Sequence, residues 1–319
     1  MAIRTRFTQL FGIDLPIVQG GLAHLAFAEL AAAVSNAGGL GQITALSTGS
    51  PEALRAEIAR VRTLTDRPFA VNLAIGHLPI EPYLDVALAE GVPAISVTGG
   101  NPEAAFRRSE GHAVRRLVLV AGVRAARKAE SLGADAVIAV GQEGGGHLGR
   151  DDVGLVALLP RVVEAVAIPV LASGGIVDGQ GLAAALALGA EGVEMGTRFV
   201  ATVECRAHAR YKEALVAARE TDTQVIERSI GRPGRVLAGA YAARILAREA
   251  DGADLSELIP LIEGRHNRRA ALEGDLEEGF VWAGQGAGGI RDIPTVAALL
   301  TRMEAEARAA AGRLSALLG

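Results

Sequence analysis

Short apolar runs alternate along this chain with alanine-rich amphipathic segments, a pattern typical of repeated βα units and a parallel sheet. We predict eight strands from these runs, at residues 17–19, 40–44, 69–73, 94–98, 116–120, 136–140, 168–172 and 192–196. Helices are predicted between the strands, at residues 26–36, 51–63, 80–90, 122–131, 155–166 and 181–188. Several of these helices end at a glycine, where a left-handed cap costs least.

Eight parallel strands with helices between them predict an α/β fold of the (β/α)8 TIM-barrel type. A doubly wound open sheet is the alternative, but it needs fewer strands and usually a glycine fingerprint after the first one. The pattern changes after Phe199, since residues 207–272 are charged, mostly helical and free of strand-like alternation. We therefore predict a barrel at residues 1–205 and 277–319, with a small helical domain inserted after strand 8 at residues 206–276. Residues 293–318 are predicted to return to the outer ring as one or two helices.

Composition and charge narrow the class of ligand. The chain of 319 residues is 50% hydrophobic, and its 32 basic and 36 acidic residues give a net charge of only -4. No dense cluster of arginine or lysine indicates nucleic-acid binding, so a small-molecule ligand is favoured. No segment has the pattern of a signal peptide or a membrane span, so we expect a cytoplasmic protein without a membrane partner.

Cysteine and histidine usage argues against a metal site. The single cysteine, Cys205, excludes an internal disulfide and any multi-cysteine metal site. We interpret it as a buried or incidental thiol, because no paired histidine motif adjoins it. The histidines show no metal-ligand spacing, so no metal is predicted.

Glycine-rich loops follow strands 6 and 7, where a parallel barrel places its chemistry, and a shorter element follows strand 8. Residues 141–149 read Gly-Gln-Glu-Gly-Gly-Gly-His-Leu-Gly, and residues 172–176 read Ala-Ser-Gly-Gly-Ile. Ser173, Gly174 and Gly175 follow strand 7, whereas Gly196 and Thr197 follow strand 8, at the positions where barrels commonly bind phosphate. A tight turn without a ligand is the alternative for either loop alone. Together the two loops favour a phosphate-bearing cofactor.

His147 is the candidate catalytic residue, because imidazole exchanges a proton near neutral pH and can donate to a substrate anion. A surface-loop histidine is the alternative. Gln19 and Asn72 are amides at the carboxyl ends of strands 1 and 3, where they point into the barrel mouth or bond to its rim. Glu143 either contacts a cofactor or solvates its turn, and His24 is favoured as a structural residue.

Three motifs resemble the nitronate monooxygenase family, formerly the 2-nitropropane dioxygenases. They lie at residues 143–149, at residues 169–179 and in Met-Gly-Thr-Arg-Phe at 195–199, and the resemblance covers nearly the whole chain. The resemblance implies an FMN-binding barrel in which His147 is the catalytic histidine. The FMN contacts that it implies are Gln19, Gly20, Asn72, Gly146, Ser173, Gly174, Gly175, Gly196 and Thr197, with Gln285 near the cofactor. The chain departs from the commonest form of the histidine loop at Gly144, where many relatives have alanine.

The resemblance implies an FMN-dependent oxidoreductase, and first a monooxygenase that oxidises alkyl nitronates with O2 to a carbonyl compound and nitrite. Related flavin-dependent enoyl-acyl-carrier-protein reductases and NAD(P)H:quinone reductases share these motifs. An NAD(P)H-dependent reductase of quinones or enoyl thioesters is therefore the alternative, with NAD(P)H as co-substrate. A third interpretation is a barrel that binds a flavin without turnover, or a sugar phosphate. The motifs leave the physiological substrate and the oligomeric state open, a homodimer included.

Overall fold

A computed structural model of the protein describes residues 3–76 and 78–319, and a parallel sheet of eight strands forms its centre. The eight strands are β1 (Ile17–Gln19), β2 (Gly41–Thr44), β3 (Phe69–Ala74), β4 (Ala94–Thr98), β5 (Arg115–Val120), β6 (Ala136–Val140), β8 (Val170–Ser173) and β9 (Gly192–Met195), with the short β7 (Gly146–His147) outside the sheet. Their order is β1-β9-β8-β6-β5-β4-β3-β2, and a parallel bridge from Val18 to Leu40 joins the two ends. The sheet is thus a nearly closed barrel, which confirms the predicted fold.

Helices cover the outside of the barrel with apolar residues turned toward the strands. They are α2 (Ala28–Asn36), α3 (Pro51–Leu64), α4 (Glu81–Ala89), α5 (Glu103–Arg108), α6 (Val123–Ser131), α7 (Leu155–Val163), α8 (Gly179–Ala187) and α9 (Thr197–Val200). Helix α1 (Arg6–Phe11) instead lies at the end of the barrel where the strands begin. Four further helices, α10 (Ala209–Ala217), α11 (Ala240–Ala250), α12 (Leu255–Ile262) and α13 (Gly264–Glu273), follow, and α14 (Val296–Leu318) ends the chain. As predicted, α14 returns to the outer ring, where it packs against α8 and α2.

The barrel interior has an apolar lower layer and a polar upper layer. The lower layer contains Val18, Leu40, Ala70, Ala94, Leu117, Ala136, Ile138 and Leu171, and Phe7 and Phe11 of α1 close it from below. Side chains two residues further along a strand share the same face. The residues that follow this lower layer toward the carboxyl ends of the strands are Gln42, Asn72, Ser96 and Ser173, all of them buried. Buried polar groups cost free energy unless they are bonded, so each of these side chains needs a hydrogen-bond partner.

The segment predicted to be mostly helical and free of strand-like alternation contains a β-hairpin. Strands β10 (Thr223–Ile226) and β11 (Gly234–Leu237) pair antiparallel, and β11 also pairs with β7 in the loop after β6. The prediction that residues 207–272 lack strands was wrong, because each strand has only four residues, too few to show a clear alternation. Helices α10 to α13 complete the segment.

The small hydrophobic core around this hairpin contains Ile226, Val236 and Phe280. Tyr211 and Leu215 of α10 pack instead into the main core of the barrel. Residues of the predicted helical domain thus pack into the barrel core, and Phe280 of the predicted barrel packs into the hairpin core. The division into domains at residues 206 and 276 stays a prediction. Over the described ranges, no helix has both the length and the apolar character needed to cross a bilayer.

Candidate active site

Four glycine-rich segments meet at the carboxyl end of the barrel. A Cβ atom on Gly174, after β8, would lie 3.1 Å from the amide nitrogen of Gly144, after β6. The Gly284 N–H donates to Thr197 Oγ1, after β9, at 3.0 Å, and the Gln285 N–H donates to the carbonyl oxygen of Glu143 at 2.9 Å. The predicted loops after β6, β8 and β9 therefore form one site with the 284–285 segment.

The main chain of this site is shaped by left-handed glycines. Gly146, Gly174 and Gly175 have φ angles of 83°, 110° and 73°, a region that favours glycine. Among residues 3–76 and 78–319, no protein acceptor takes the N–H of Gly174 or Gly175. Successive N–H groups in such turns form a concavity that binds anions. The phosphate-binding role of this loop stays a prediction.

The polar upper layer of the barrel is a connected hydrogen-bond network. Asn72 Nδ2 donates to Ser96 Oγ at 2.9 Å, and Ser96 Oγ donates to Gln42 Oε1. The Gln42 N–H donates to Gln19 Oε1 at 3.0 Å, so the fully buried Gln19 side chain joins β1 to β2 at the barrel seam. Its predicted contact with a cofactor stays a prediction.

One buried donor in this network has no partner. Gln42 Nε2 makes no hydrogen bond within the part of the chain that the structure describes. An unsatisfied buried donor typically costs about 1–3 kcal/mol, which a ligand acceptor at the barrel mouth would offset. At the same mouth, a Cβ on Gly21 would lie 2.3 Å from Asn72 Oδ1, so that only glycine fits above the predicted Asn72 contact. These features fit a polar ring system placed on the upper layer.

His147 is held at the mouth by main-chain pairing. It lies on β7 opposite Gly234 of β11, and its ring centroid is 5.0 Å from that of Trp282. Partial desolvation by the surrounding protein, followed in size by the positive charge of Arg232, lowers the pKa of His147 below its ordinary value. Because much of the residue stays exposed, solvent limits this shift. A neutral imidazole at pH 7 can accept a proton from a ligand.

A buried arginine fixes the histidine loop to the hairpin. Arg235 of β11 donates from Nη2 to the carbonyl oxygen of Gln142 at 3.0 Å, and from Nη1 to Thr223 Oγ1 at 3.1 Å. Only 7% of the Arg235 surface is exposed. A second link, the ion pair between Arg228 Nη1 and Asp152 Oδ1 at 2.8 Å, is exposed to solvent. Exposed pairs contribute about 0–1 kcal/mol, so Arg235 is the stronger anchor.

Replacing Arg235 with glutamine should loosen the loop that carries His147. Hydrogen bonds from a charged donor contribute about 1.5–3 kcal/mol, so amide hydrogen exchange in the loop should accelerate by about 10-fold or more. Exchange measured by mass spectrometry on peptides that span residues 141–149 would show this. The matched control Arg228→Gln should accelerate exchange by less than about threefold. Equal protection of the loop in both variants would contradict this role of Arg235.

The structure gives Glu143 a third role that the sequence did not suggest. Its Oε1 and Oε2 atoms accept from the Leu155 N–H at 3.0 and 2.9 Å, at the start of α7. The residue before α7 is Gly154, which has no side chain to cap the helix. Glu143 therefore caps α7 from the histidine loop, and its negative charge suits the positive end of the helix dipole.

Two further expectations from the sequence concern His24 and Cys205. The His24 N–H donates to Ser47 Oγ at 2.9 Å, and burial followed by the charge of Arg268 lowers the pKa of its ring. The Cys205 thiol is buried, and burial raises its pKa to about 11. A thiol that stays protonated at neutral pH is a poor nucleophile, which fits an incidental cysteine.

Sequence reasoning missed Glu194, a buried carboxyl group in the site. It lies on β9, only 6% of its surface is exposed, and its Oε2 accepts from Ser173 Oγ at 3.1 Å. Burial raises the pKa of Glu194 to about 7, although the Ser173 hydrogen bond acts in the opposite direction. A charged residue inside an otherwise apolar buried strand was the available signal, since such residues are seldom fully buried without a partner.

Stability should depend on pH through Glu194. The folded protein keeps the Glu194 proton up to about pH 7, whereas the unfolded chain loses it near pH 4.5, so the free energy of unfolding falls as pH rises between these values. This pKa shift corresponds to about 3 kcal/mol of unfolding free energy. Glu194→Gln does not titrate. As pH rises from 4.5 to about 7, its free energy of unfolding should therefore increase, relative to that of the wild type, by about 3 kcal/mol. Urea unfolding of both apoproteins measures the difference, and a difference that does not change with pH would contradict it.

The barrel, the left-handed glycines and the histidine at the mouth together define an α/β-barrel enzyme. The nitronate monooxygenase family model matches residues 4–82 and 80–306, and the protein belongs to this family. The family and its characterised relatives are oxidoreductases, and so is this protein. Flavin dependence in the family is consistent with an FMN site. No group of three or more His, Cys, Asp or Glu residues suits a metal ion in the described ranges, which exclude His77.

Similar proteins match nearly the full length of the chain. A probable nitronate monooxygenase of Staphylococcus saprophyticus is 34% identical, over 89% of this chain and 92% of the relative. FabK from Thermotoga maritima superposes with a TM-score of 0.94 at 40% identity, covering 99% of this chain and all of the other. Nitroalkane oxidase from Streptomyces ansochromogenes superposes with a TM-score of 0.83 at 31% identity, covering 97% of this chain and all of the other.

Proposed function

We propose that the protein is an FMN-dependent oxidoreductase whose substrate reacts between the flavin and His147. The observation that supports this most directly is the meeting of the loops after β6, β8 and β9. Within the described ranges, the Gly174 and Gly175 amides beside the histidine loop have no protein acceptors. An FMN phosphate is an anion of the size and charge that such amides bind.

The predicted contacts divide between the two ends of this cofactor. The phosphate would be held by Ser173, Gly174, Gly175, Gly196 and Thr197, and the ring by Gln19, Gly20 and Asn72, with Gly146 and Gln285 beside it. FMN supplies the electron-transfer chemistry when it is bound, and the protein supplies orientation and electrostatics. The polar upper layer with its unpartnered Gln42 donor fits the heteroatoms of a flavin ring.

Nitronate oxidation is the activity that we propose first, because the nitronate monooxygenase family model matches almost the whole chain. His147 would donate a hydrogen bond to the nitro oxygens of a nitronate, or accept a proton from a neutral nitroalkane at its unprotonated ring nitrogen. The lowered pKa of His147 favours the second role near pH 7, and nearby Arg232 would attract the anionic substrate.

NAD(P)H-dependent reduction of an enoyl thioester or a quinone is the second candidate. Flavin-dependent enoyl-acyl-carrier-protein reductases share the histidine and phosphate motifs. The chain is also more similar to FabK than to the nitroalkane oxidase, at 40% against 31% identity. In this case the open mouth beside His147 would admit the nicotinamide ring against the flavin.

Two assays on purified holoenzyme separate these activities. An absorbance scan first establishes whether a flavin is bound, and a preparation that is colourless and takes up no added FMN would contradict the proposal. Oxygen uptake with propionate-3-nitronate or alkyl nitronates, without NAD(P)H, supports nitronate oxidation. Rapid anaerobic bleaching of the flavin by NADH or NADPH, followed by reoxidation with a quinone or an enoyl thioester, supports the reductase. A bound flavin that is reduced neither by a nitronate nor by NAD(P)H would indicate a flavin-binding protein without turnover.

A further inference from the structure

The carboxyl group of Glu194 lies between two segments predicted to contact the cofactor. On one side, Ser173 Oγ is 3.1 Å from Glu194 Oε2. On the other side, a Cβ placed on Gly20 would lie 3.2 Å from Glu194 Cδ and 3.3 Å from Oε1. The carboxyl group therefore lies between the end of β8, where the phosphate loop begins, and the loop after β1, although no motif assigns it a role.

Among the residues that the structure describes, no opposite charge compensates the Glu194 carboxyl group. The groups that face it from the neighbouring strands are the Ser173 hydroxyl on β8 and the Gly20 main chain after β1, neither of which titrates near neutral pH. Burial and the Ser173 hydrogen bond are the causes that set its pKa, with no contribution from an arginine, lysine or histidine of the described residues. A carboxyl group in this setting exists in both protonation states around neutral pH.

The two protonation states make opposite demands on Ser173. A carboxylate only accepts hydrogen bonds, so the single O–H of Ser173 must point at ionised Glu194. A neutral carboxyl group has an O–H of its own and can donate it to Ser173 Oγ. The Ser173 hydrogen is then free to point toward the Gly174 and Gly175 amides and any ligand that they bind.

We propose that Glu194 is a positioning residue, which in its neutral form releases the Ser173 hydroxyl to donate to an anionic oxygen of the ligand at the barrel rim. Ionised Glu194 keeps the Ser173 hydroxyl bonded to its own carboxylate, and it adds a negative charge close to the anion. This inference rests on the proposed FMN site, with the FMN phosphate as the anion. FMN affinity should therefore fall as Glu194 loses its proton.

Fluorescence titration of apoprotein with FMN at about pH 6 and about pH 8.5, on either side of the Glu194 titration, tests this directly. Wild-type affinity should fall by about 10-fold more than that of Glu194→Gln over this range, as expected for one charge-assisted hydrogen bond. The second ionisation of the FMN phosphate and the titration of His147 are common to both proteins and cancel in the comparison.

A double-mutant cycle with Ser173→Ala isolates the hydroxyl. In the Ser173→Ala background, Glu194→Gln should change the pH dependence of FMN affinity less than it does in the presence of Ser173. An equal change in both backgrounds would overturn the Ser173 step, and identical pH profiles for wild type and Glu194→Gln would overturn the whole inference. Should Glu194→Gln fail to fold, wild type and Ser173→Ala still decide it, because the wild type should lose more FMN affinity between about pH 6 and about pH 8.5 than Ser173→Ala does, and equal losses would overturn the Ser173 step.

The wild-type titration separates this inference from the proposed function. Wild-type protein that binds no FMN at either pH contradicts the FMN site itself, and the inference falls with it. Wild-type protein that binds FMN with the same pH dependence as Glu194→Gln leaves the cofactor site standing and rejects only the role of Glu194.

Discussion

Replacing His147 with glutamine is expected to lower turnover by at least about 100-fold, the usual contribution of a general acid or base. Glutamine can donate a hydrogen bond but cannot accept a proton at neutral pH. His147 lies on β7, whose main chain pairs with β11, so the substitution should leave the loop in place. Steady-state rates with a neutral nitroalkane, and reoxidation rates with a quinone or an enoyl thioester, measure the loss for either proposed activity.

FMN binding should stay within about threefold of the wild type in His147→Gln, because the predicted phosphate contacts come from other loops. A matched control is His112→Gln, since His112 is also exposed but lines a cavity of about 410 Å³ beside Phe11 at the opposite end of the barrel. The control should keep full turnover. Full turnover by His147→Gln with FMN bound would show that the reaction does not use this imidazole.

Gly174→Ala is expected to weaken FMN binding by about 100-fold, equivalent to losing about two hydrogen bonds to an anion. The φ angle of Gly174 is 110°, which an alanine adopts only with strain. The new Cβ would also lie 3.1 Å from the Gly144 nitrogen and 3.2 Å from the Gly141 oxygen. The loop would have to move away from the histidine loop, and the amides that face the phosphate would move with it.

Gly111→Ala controls for backbone strain alone. Gly111 has a φ angle of 78°, and a Cβ there would meet no atom within 4 Å. Both variants should lose about 1–2 kcal/mol of stability through strain, but only Gly174→Ala should lose FMN affinity. Fluorescence titration and thermal unfolding measure the two effects, and unchanged FMN affinity in Gly174→Ala would place the phosphate outside this loop.

Local patterns in the sequence were sufficient to predict the barrel. Each strand is a short apolar run bounded by turn residues, and the alternation of strands and helices leaves few ways to bury both faces of the sheet. The same logic located the loops that contain Gly174 and His147, because the carboxyl ends of parallel strands meet at one end of a barrel. These features depend on neighbours in the sequence, which is why they could be predicted.

The features that sequence reasoning missed depend on partners that are distant along the chain. Glu143 caps α7 across 12 residues, and Arg235 binds the Gln142 carbonyl across 93 residues. The Glu194 carboxyl group becomes buried when the barrel closes around it, and closure also brings Ser173 within hydrogen-bond distance. The hairpin of β10 and β11 is likewise stabilised by pairing with β7, which no local pattern reveals.

A crystal structure of the protein with FMN bound would locate the cofactor. We expect the phosphate within hydrogen-bond distance of the Gly174 and Gly175 amides, about 2.7–3.2 Å, with the flavin ring above Asn72 and facing His147. A phosphate bound at any other place, or a flavin ring turned away from His147, would contradict this expectation.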